Sequence, residues 1–238
     1  MSYNHSKKIR SVWPRVLGIF FIFGFILSLG LFVSYGTTWN LGSGRRGVVV
    51  RSGPPPVIRG SRHVVVEDRG CEPFSSITTS GHLEVHVVKG AEYSVQVQAD
   101  SNLVGLVETV VRGKHFHAEI KQNTSFSTSN PLIVRVQIPV NGGLPLNSVT
   151  LKGAGEVVLP NTLTVHPNFE LSSQGPGSIN GVSIQAESVL VKLTGTGKIT
   201  LSGSCRHFTC TLSGTGTVDA GELVSDEVDA SVSGTGKA

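Results

Sequence analysis

A Gly-x-Gly step recurs five times in the last third of the 238-residue chain, at Gly153/Gly155, Gly175/Gly177, Gly195/Gly197, Gly214/Gly216 and Gly234/Gly236. The first glycines are 22, 20, 19 and 20 residues apart. A near-constant period of that size is how stacked repeats show themselves, each unit burying its apolar face only against its neighbours. The sequence therefore predicts an all-β chain whose C-terminal half is a β-solenoid of roughly 20-residue coils.

The flanks of each step agree. The chain reads Val191-Lys-Leu-Thr-Gly-Thr-Gly-Lys-Ile199, then Thr211-Leu-Ser-Gly-Thr-Gly-Thr-Val218, then Ser231-Val-Ser-Gly-Thr-Gly-Lys-Ala238. Side chains alternate across a strand with a period of two. Leu193, Gly195, Gly197, Ile199 and Leu201 thus share one face, and Leu212, Gly214, Gly216, Val218 and Ala220 repeat it. Thr194, Thr196, Ser213, Thr215, Ser233 and Thr235 fall on the other face, where stacked coils would carry them as an outward hydroxyl ladder. Glycine weakens a strand unless backbone approaches closely or the chain bends. Its return at one phase predicts a narrow interior or a corner at Gly153, Gly155, Gly175, Gly177, Gly195, Gly197, Gly214, Gly216, Gly234 and Gly236.

These steps, the segment Pro73-Phe-Ser-Ser-Ile-Thr-Thr-Ser-Gly-His-Leu-Glu-Val-His-Val-Val-Lys-Gly90 and the following Tyr93-Ser-Val-Gln-Val-Gln98 resemble the bacterial putative auto-transporter adhesin family with a head GIN domain. The resemblance covers roughly residues 73–238. It implies a right-handed β-helix-like fold in an exported or envelope protein, with adhesion as the family's namesake role. It implies no reaction, no cofactor and no catalytic residues. Relatives in the family usually continue through a closing strand after the last step, whereas this sequence stops at Ala238, so the last coil is expected to be uncapped or truncated.

Charge is divided unevenly along the chain. Ten of the 20 Lys and Arg lie in the first 70 positions, against two of the 16 acidic residues, Glu67 and Asp68. The overall +4 therefore separates into +8 before residue 71 and −4 after it. Phosphate recognition needs positive charge on the binding surface itself, which argues against nucleic acid as a partner of the folded part. Residues 16–35 run without a charge, about 30 Å as helix and enough to cross a bilayer core. Trp13, Tyr35 and Trp39 suit the interfaces, and Lys7, Lys8, Arg10 and Arg15 precede the span. By the positive-inside rule the N-terminus is cytoplasmic and the rest lies outside, periplasmic or at the cell surface. A cleaved signal peptide is the alternative, although its apolar region is usually shorter and Val33-Ser-Tyr35 is a poor cleavage site. The expected organisation is a cytoplasmic segment 1–13, a single-pass anchor or signal peptide 14–36, a Gly/Pro/Arg-rich linker 37–70 containing Pro54-Pro-Pro56, and the head GIN β-solenoid domain 71–238. Val64-Val-Val66 is a candidate short strand within the linker.

The search for chemistry returns little. Cys71, Cys205 and Cys210 are an odd set. Cys205 and Cys210 could pair only across a turn at Arg206-His207, and alone they lack the further ligands of a structural zinc site. His82-Leu-Glu84-Val-His86 and His115-Phe-His117-Ala-Glu119 would converge on a transition metal only if those strands were neighbours; otherwise they are solvated outer faces. Asp219, Glu222, Asp226, Glu227 and Asp229 could serve glycoside cleavage or calcium, or simply face solvent. No phosphate loop, nucleophile elbow or His-Glu-x-x-His occurs. No catalytic residue, metal site or cofactor is therefore assigned.

Residues 71–138 read as short strands near 74–79, 82–88, 93–99, 105–111, 115–121 and 132–138, with a hairpin turn at Lys89-Gly-Ala91. Three functions fit. One is a non-enzymatic, membrane-anchored envelope protein that presents a repetitive surface to polysaccharide or a surface protein. The others are a self-associating structural scaffold and a carbohydrate-active β-helix enzyme. The topology is directly testable: alkaline phosphatase fused after Ala238 is expected to be active and a reporter that needs the cytoplasm silent, and the opposite pattern would overturn the orientation.

Overall fold

Strands rich in Val, Ile and Leu at alternate positions need a neighbour on each edge and a surface under one face, and stacked turns of chain supply both. The computed structural model describes residues 56–161, 163–181 and 183–238. They fall in one compact unit, Arg51–Ala238, so the apolar run 16–35 lies outside the described residues. No helix among the described residues is long and apolar enough to cross a membrane.

In chain order the N-terminal elements are β1 (Ile58–Arg59), β2 (Val64–Arg69), β3 (Ser76–Ser80), β4 (Glu84–Gly90) and β5 (Ser94–Asp100). A 3-10 turn (Val104–Leu106), β6 (Val107–Arg112), β7 (His115–Ile120), β8 (Phe126–Ser127) and β9 (Ile133–Pro139) follow. The second half contributes β10 (Leu146–Lys152), β11 (Glu156–Val158), β12 (Val165–Gln174), β13 (Ser178–Asn180), β14 (Ile184–Gln185), β15 (Ser188–Gly195), β16 (Lys198–Gly214) and β17 (Thr217–Gly234). The all-β class expected from the sequence holds among the described residues, where the 3-10 turn is the one helical element.

Two columns of parallel strands organise these elements. One runs β7, β3, β10, β12, β15, then the second halves of β16 and β17. The other runs β9, β4, β11, β13, then the first halves of β16 and β17. Register is kept from turn to turn: Ile77, Val149, Leu171, Val191 and Cys210 stack in one inward row. Val134, Val85, Val157, Ile179, Ile199 and Val218 form another. Every member of both rows is buried, each contributing about 1.5–3 kcal/mol of hydrophobic stabilisation when fully covered.

The glycine steps form the corner between the columns. First glycines carry positive φ, from +113° at Gly153 to +124° at Gly214, a region costly for a residue with a Cβ. Each also packs directly on the step beneath: a Cβ on Gly175 would stand 2.9 Å from the Gly153 carbonyl oxygen, and one on Gly177 2.5 Å from that of Gly155. Backbone bonds close the same gap, with the N–H of Gly177 donating to Gly153 (3.0 Å), that of Gly216 to Gly195 (3.0 Å) and that of Gly236 to Gly214 (3.0 Å). A sixth step, Gly81-His82-Leu83, lies below the five seen in sequence. Gly81 has φ +90°, a Cβ on Gly153 would meet its carbonyl at 2.9 Å, and Glu156 N–H donates to Leu83 O at 2.9 Å. Leu83 replaces the second glycine and is buried in the core, so spacing alone could not reveal it.

The N-terminal part departs from simple succession. β4 and β5 do not form the hairpin expected at Lys89–Ala91. β9 inserts between them, parallel to β4 and antiparallel to β5, because Val134 and Val136 bury against the valines of both. β2 adds to β5 and β6 to β7, both antiparallel, closing this end of the columns. The tether expected over 37–70 is therefore strand at Val64–Arg69. The Arg69 guanidinium donates to the carbonyls of Val104 and Val107 and to Thr109 Oγ1, and it pairs with Glu67 at 2.9 Å. Among the described residues β17 pairs with β16 alone, apart from a single bridge from Thr217 to Lys237.

Two glycines make the corner testable. At Gly197 a Cβ would overlap the Gly177 carbonyl oxygen, whereas at Gly221 it would meet only the Asp219 carboxylate at 3.6 Å. Gly197→Ala is expected to cost about 1–3 kcal/mol, the range for enforced backbone strain, and Gly221→Ala no more than about 0.5 kcal/mol; denaturant midpoints of the two variants decide.

Candidate functional site

The outward hydroxyls lie on the two columns' shared corner, over the last three turns. Thr194, Ser213 and Ser233 occupy successive positions of one ladder, spaced by about 4.8 Å, the separation of neighbouring strands. Thr196, Thr215 and Thr235 are the middle residues of the last three Gly-x-Gly steps. The backbones of the last two are tied to the turn below, Thr215 N–H to Gly195 O at 3.0 Å and Thr235 N–H to Gly214 O at 3.1 Å. All six side chains are exposed, and the hydrogen bonds among the described residues involve none of the six hydroxyls. Below Thr194 the ladder continues as Gln174, Lys152 and Ser80, so the uniform hydroxyl surface is three turns deep. Sequence reasoning missed a second row on the outward phase, Thr78, Thr150 and Ser172, followed by Lys192, Thr211 and Ser231, of which Ser172 is buried and only the last three are exposed. Its members carry no glycine beside them to signal their phase.

A polar groove opens lower on the molecule, lined by His82, Glu84 and the 126–132 segment. His86 Nε2 stands 3.8 Å from the Glu84 carboxylate. The segment is held from beneath by Asp100, which is buried and accepts hydrogen bonds from Thr128 Oγ1 (2.7 Å) and Asn130 Nδ2 (2.7 Å). Gly60 abuts the same carboxylate, leaving no room for a side chain. The Thr128 hydroxyl above all, then Asn130, hold the Asp100 carboxyl below its ordinary 3.8.

The other candidates do not assemble. β4 and β7 stand in different columns, so His82 and His86 are not brought beside His115 and His117. Burial pulls His117 below the ordinary 6.5, helped by His115 and Arg112, and it is neutral at physiological pH. No group of three metal-ligating side chains occurs among the described residues. Asp219, Glu222, Asp226, Glu227 and Asp229 are all exposed along β17, and Glu227 is engaged by His207 Nδ1 at 2.8 Å. Cys205 and Cys210 remain thiols on the unbroken strand β16; no turn at Arg206-His207 brings them together. Burial raises the Cys210 thiol and, with the Glu72 charge, pushes Cys71 up to about 11, leaving both poor nucleophiles at neutral pH.

Comparison with known proteins bears on this arrangement. Residues 73–238 match the family described as putative auto-transporter adhesin, head GIN domain. No curated protein matches the chain. Among solved structures, a putative adhesin from Bacteroides fragilis is similar at TM-score 0.68 and 21% identity, over 74% of this chain and 79% of that one. A putative adhesin from Parabacteroides distasonis gives 0.57 at 17% identity, over 76% and 83%. A third, described as a putative lipid binding protein from the same organism, gives 0.54 at 15% identity, over 77% and 100%. Likeness at these identities is a likeness of fold.

Asp100 yields a pH dependence. A depressed folded-state value means its stabilisation is complete above the ordinary carboxylate range and is lost as pH falls through the folded value. Thermal melts are expected to show Asp100→Asn below wild type at neutral pH, with the gap narrowing from about pH 4 downward; a gap constant with pH would remove the carboxylate from this role.

Proposed function

The chain belongs to the putative auto-transporter adhesin family with a head GIN domain, and from that premise we propose that it is a non-enzymatic envelope protein whose stacked strands present a polysaccharide-binding surface. In this reading the stack is a right-handed β-solenoid. The apolar run 16–35 anchors it by a single membrane span, and the folded part stands outside the cytoplasm.

The observation that carries the reading is the register of Thr194, Ser213 and Ser233, together with Thr196, Thr215 and Thr235 at the glycine corner. These hydroxyls are exposed, unpaired among the described residues, and stand at a corner whose glycines lie directly on the turn below. Each can donate and accept, which matches the alternating hydroxyls of a glycan. Because the scaffold is already ordered, binding costs little further conformational entropy. The acidic residues of β17 supply no competing enzyme site, since they are solvated and one is engaged by His207.

The test is binding of the full chain, in detergent, to a glycan array, beside the Thr194→Val, Thr196→Val, Thr215→Val variant. Valine keeps the shape and strand preference of threonine and removes the hydroxyl. Losing three hydrogen bonds of about 0.5–1.5 kcal/mol each predicts a drop in glycan affinity of about tenfold or more with the melting temperature retained. Equal binding by both proteins would detach the ladder from adhesion, and an array without signal would move the partner class from polysaccharide to protein.

A further inference from the structure

The chain before β2 carries arginines of the basic N-terminal part onto a folded part that is otherwise acidic. β1 lies parallel to β8, with Ile58 beside Phe126 and Arg59 beside Ser127. The N–H groups of Ile58 and Gly60 donate to the carbonyls of Ser125 and Ser127 at 2.9 and 2.8 Å. On the other side Asn102 accepts from the Ser61 N–H and donates to the Arg59 carbonyl. The buried Asp100 carboxylate receives the Arg62 N–H besides Thr128 and Asn130. Arg62 is thereby held at φ +61°, which few residues other than glycine adopt and which persists only where the surroundings fix it. Two grooves border the segment 127–129. One, of about 700 Å³, is lined by Arg59, Arg62, Ser127 and Ser129 and by no carboxylate. Both arginines are exposed, and neither joins an ion pair among the described residues. Asp100 beneath them is one negative charge against two positive, and its three donors saturate it. The other groove, of about 600 Å³, carries His82, Glu84 and the half-buried Phe126. Both volumes suit small ligands or single units of a polymer.

We propose that these grooves receive an acidic polysaccharide in which uronate and neutral sugars alternate, the carboxylate on Arg59 and Arg62 and the neighbouring neutral sugar against His82, Glu84 and Phe126. The inference rests on the polysaccharide reading above and names the class of glycan. A guanidinium matches a carboxylate in plane and can donate two parallel hydrogen bonds to it. The Ser127 and Ser129 hydroxyls beside it donate or accept as the sugar requires. In the second groove Glu84 accepts from sugar hydroxyls and repels a second carboxylate, while the Phe126 ring offers an apolar surface to the C–H face of a sugar. This juxtaposition favours a chain of spaced charges over an anionic bilayer, whose continuous charge would be set against Glu84. The grooves also join the surface already described. His82 is the middle residue of the lowest glycine step, and the exposed middle residues above it are Ala154, Pro176, Thr196, Thr215 and Thr235. At one strand spacing per turn that row is about 24 Å long, with only the small Ala154 and the flat Pro176 between the grooves and the hydroxyls. The bonds that fix residues 58–62 are made before any ligand arrives, so little ordering remains to oppose binding.

The test is calorimetric titration of the full chain, in nonionic detergent, with three hexasaccharides. Hyaluronan alternates uronate with a neutral sugar, alginate is uronate throughout, and chitin is uncharged. Wild type is expected to bind hyaluronan tightest of the three, and less tightly as salt is raised. Arg59→Gln and Arg62→Gln are each expected to lower hyaluronan affinity about 3- to 30-fold and to leave chitin unchanged. Ser127→Asp sets a carboxylate beside Arg59 and is expected to lower hyaluronan affinity about 2- to 5-fold, with Ser127→Lys raising it by a similar factor. Ser127 is exposed, so this pair decides if Arg62→Gln disturbs Asp100 and lowers the melting temperature. Arginine and Ser127 variants that bind hyaluronan as wild type does overturn the proposal and leave the ladder to its own threonine test. Chitin or alginate bound as tightly as hyaluronan overturns it too. No binding of any oligosaccharide by wild type removes the ladder reading and these grooves together. Hydrogen-exchange protection of residues 57–62 that phosphatidylglycerol induces and hyaluronan does not would assign the arginines to a membrane surface, and so overturn the proposal.

Discussion

The fold depends on how closely one turn of backbone can lie on the next at a single corner. From Gly153 to Gly234, the first glycine of each step sits at positive φ and lies so close to the turn below that an added Cβ would crowd its carbonyl oxygen. The second glycine repeats that contact two residues later. Any side chain there would push the turns apart, and the error would propagate into both columns, since their inward rows are held in register by the same corner. Two small positions per turn thus set the strand spacing that the remaining apolar residues need in order to bury themselves. The corner hydrogen bonds, near 3.0 Å in successive turns, satisfy backbone that would otherwise be both bent and desolvated.

This explains which parts of the structure were legible in the sequence. The glycine spacing and the alternation around it are local consequences of the corner, so the turns, the inward phase of Leu193, Ile199 and Leu201 and the outward phase of Thr194 and Thr196 could be read directly. The segment 71–138 was legible as strands but not as a topology. Whether Glu84–Gly90 pairs with Ser94–Asp100 or with Ile133–Pro139 depends on valine rows that are interchangeable in sequence. The sixth step escaped because Leu83, whose carbonyl lies where a Cβ on Gly155 would have to go, needs no glycine of its own. Arg69 could not be recognised as a lid, since an arginine after a run of valines reads as solvated until the carbonyls it meets are in place. Of the candidate site, the hydroxyl phase was visible and its depth was not. The ladder changes to Gln174 and Lys152 below Thr194, which only register reveals.

Small residues inside the stack carry their own cost. Thr79 and Ser173 lie in the inward row on either side of Leu151, are almost wholly buried, and their hydroxyls meet no partner among the described residues. An unsatisfied buried hydroxyl costs roughly 1–3 kcal/mol. The same inward row carries leucine in the turns on either side, Leu151, Leu193 and Leu212, each lying beneath the second glycine of the next step. The corner therefore admits a large apolar side chain at this position, and the Ser173 hydroxyl is a cost that its steric demand does not explain.

The depth of the ladder limits what a single domain can hold. Three turns at about 4.8 Å place the outermost hydroxyls about 10 Å apart, the reach of a short stretch of glycan rather than a long chain. Hydroxyls exposed on a rigid face exchange water for ligand and gain only about 0.5–1.5 kcal/mol per bond. Affinity from one copy is therefore modest however regular the array. Adhesion on such a surface has to draw on many copies held together, where each further contact is made at high effective concentration. The membrane confinement proposed for the chain from its charge-free run and basic flank would supply that concentration without any stronger individual site.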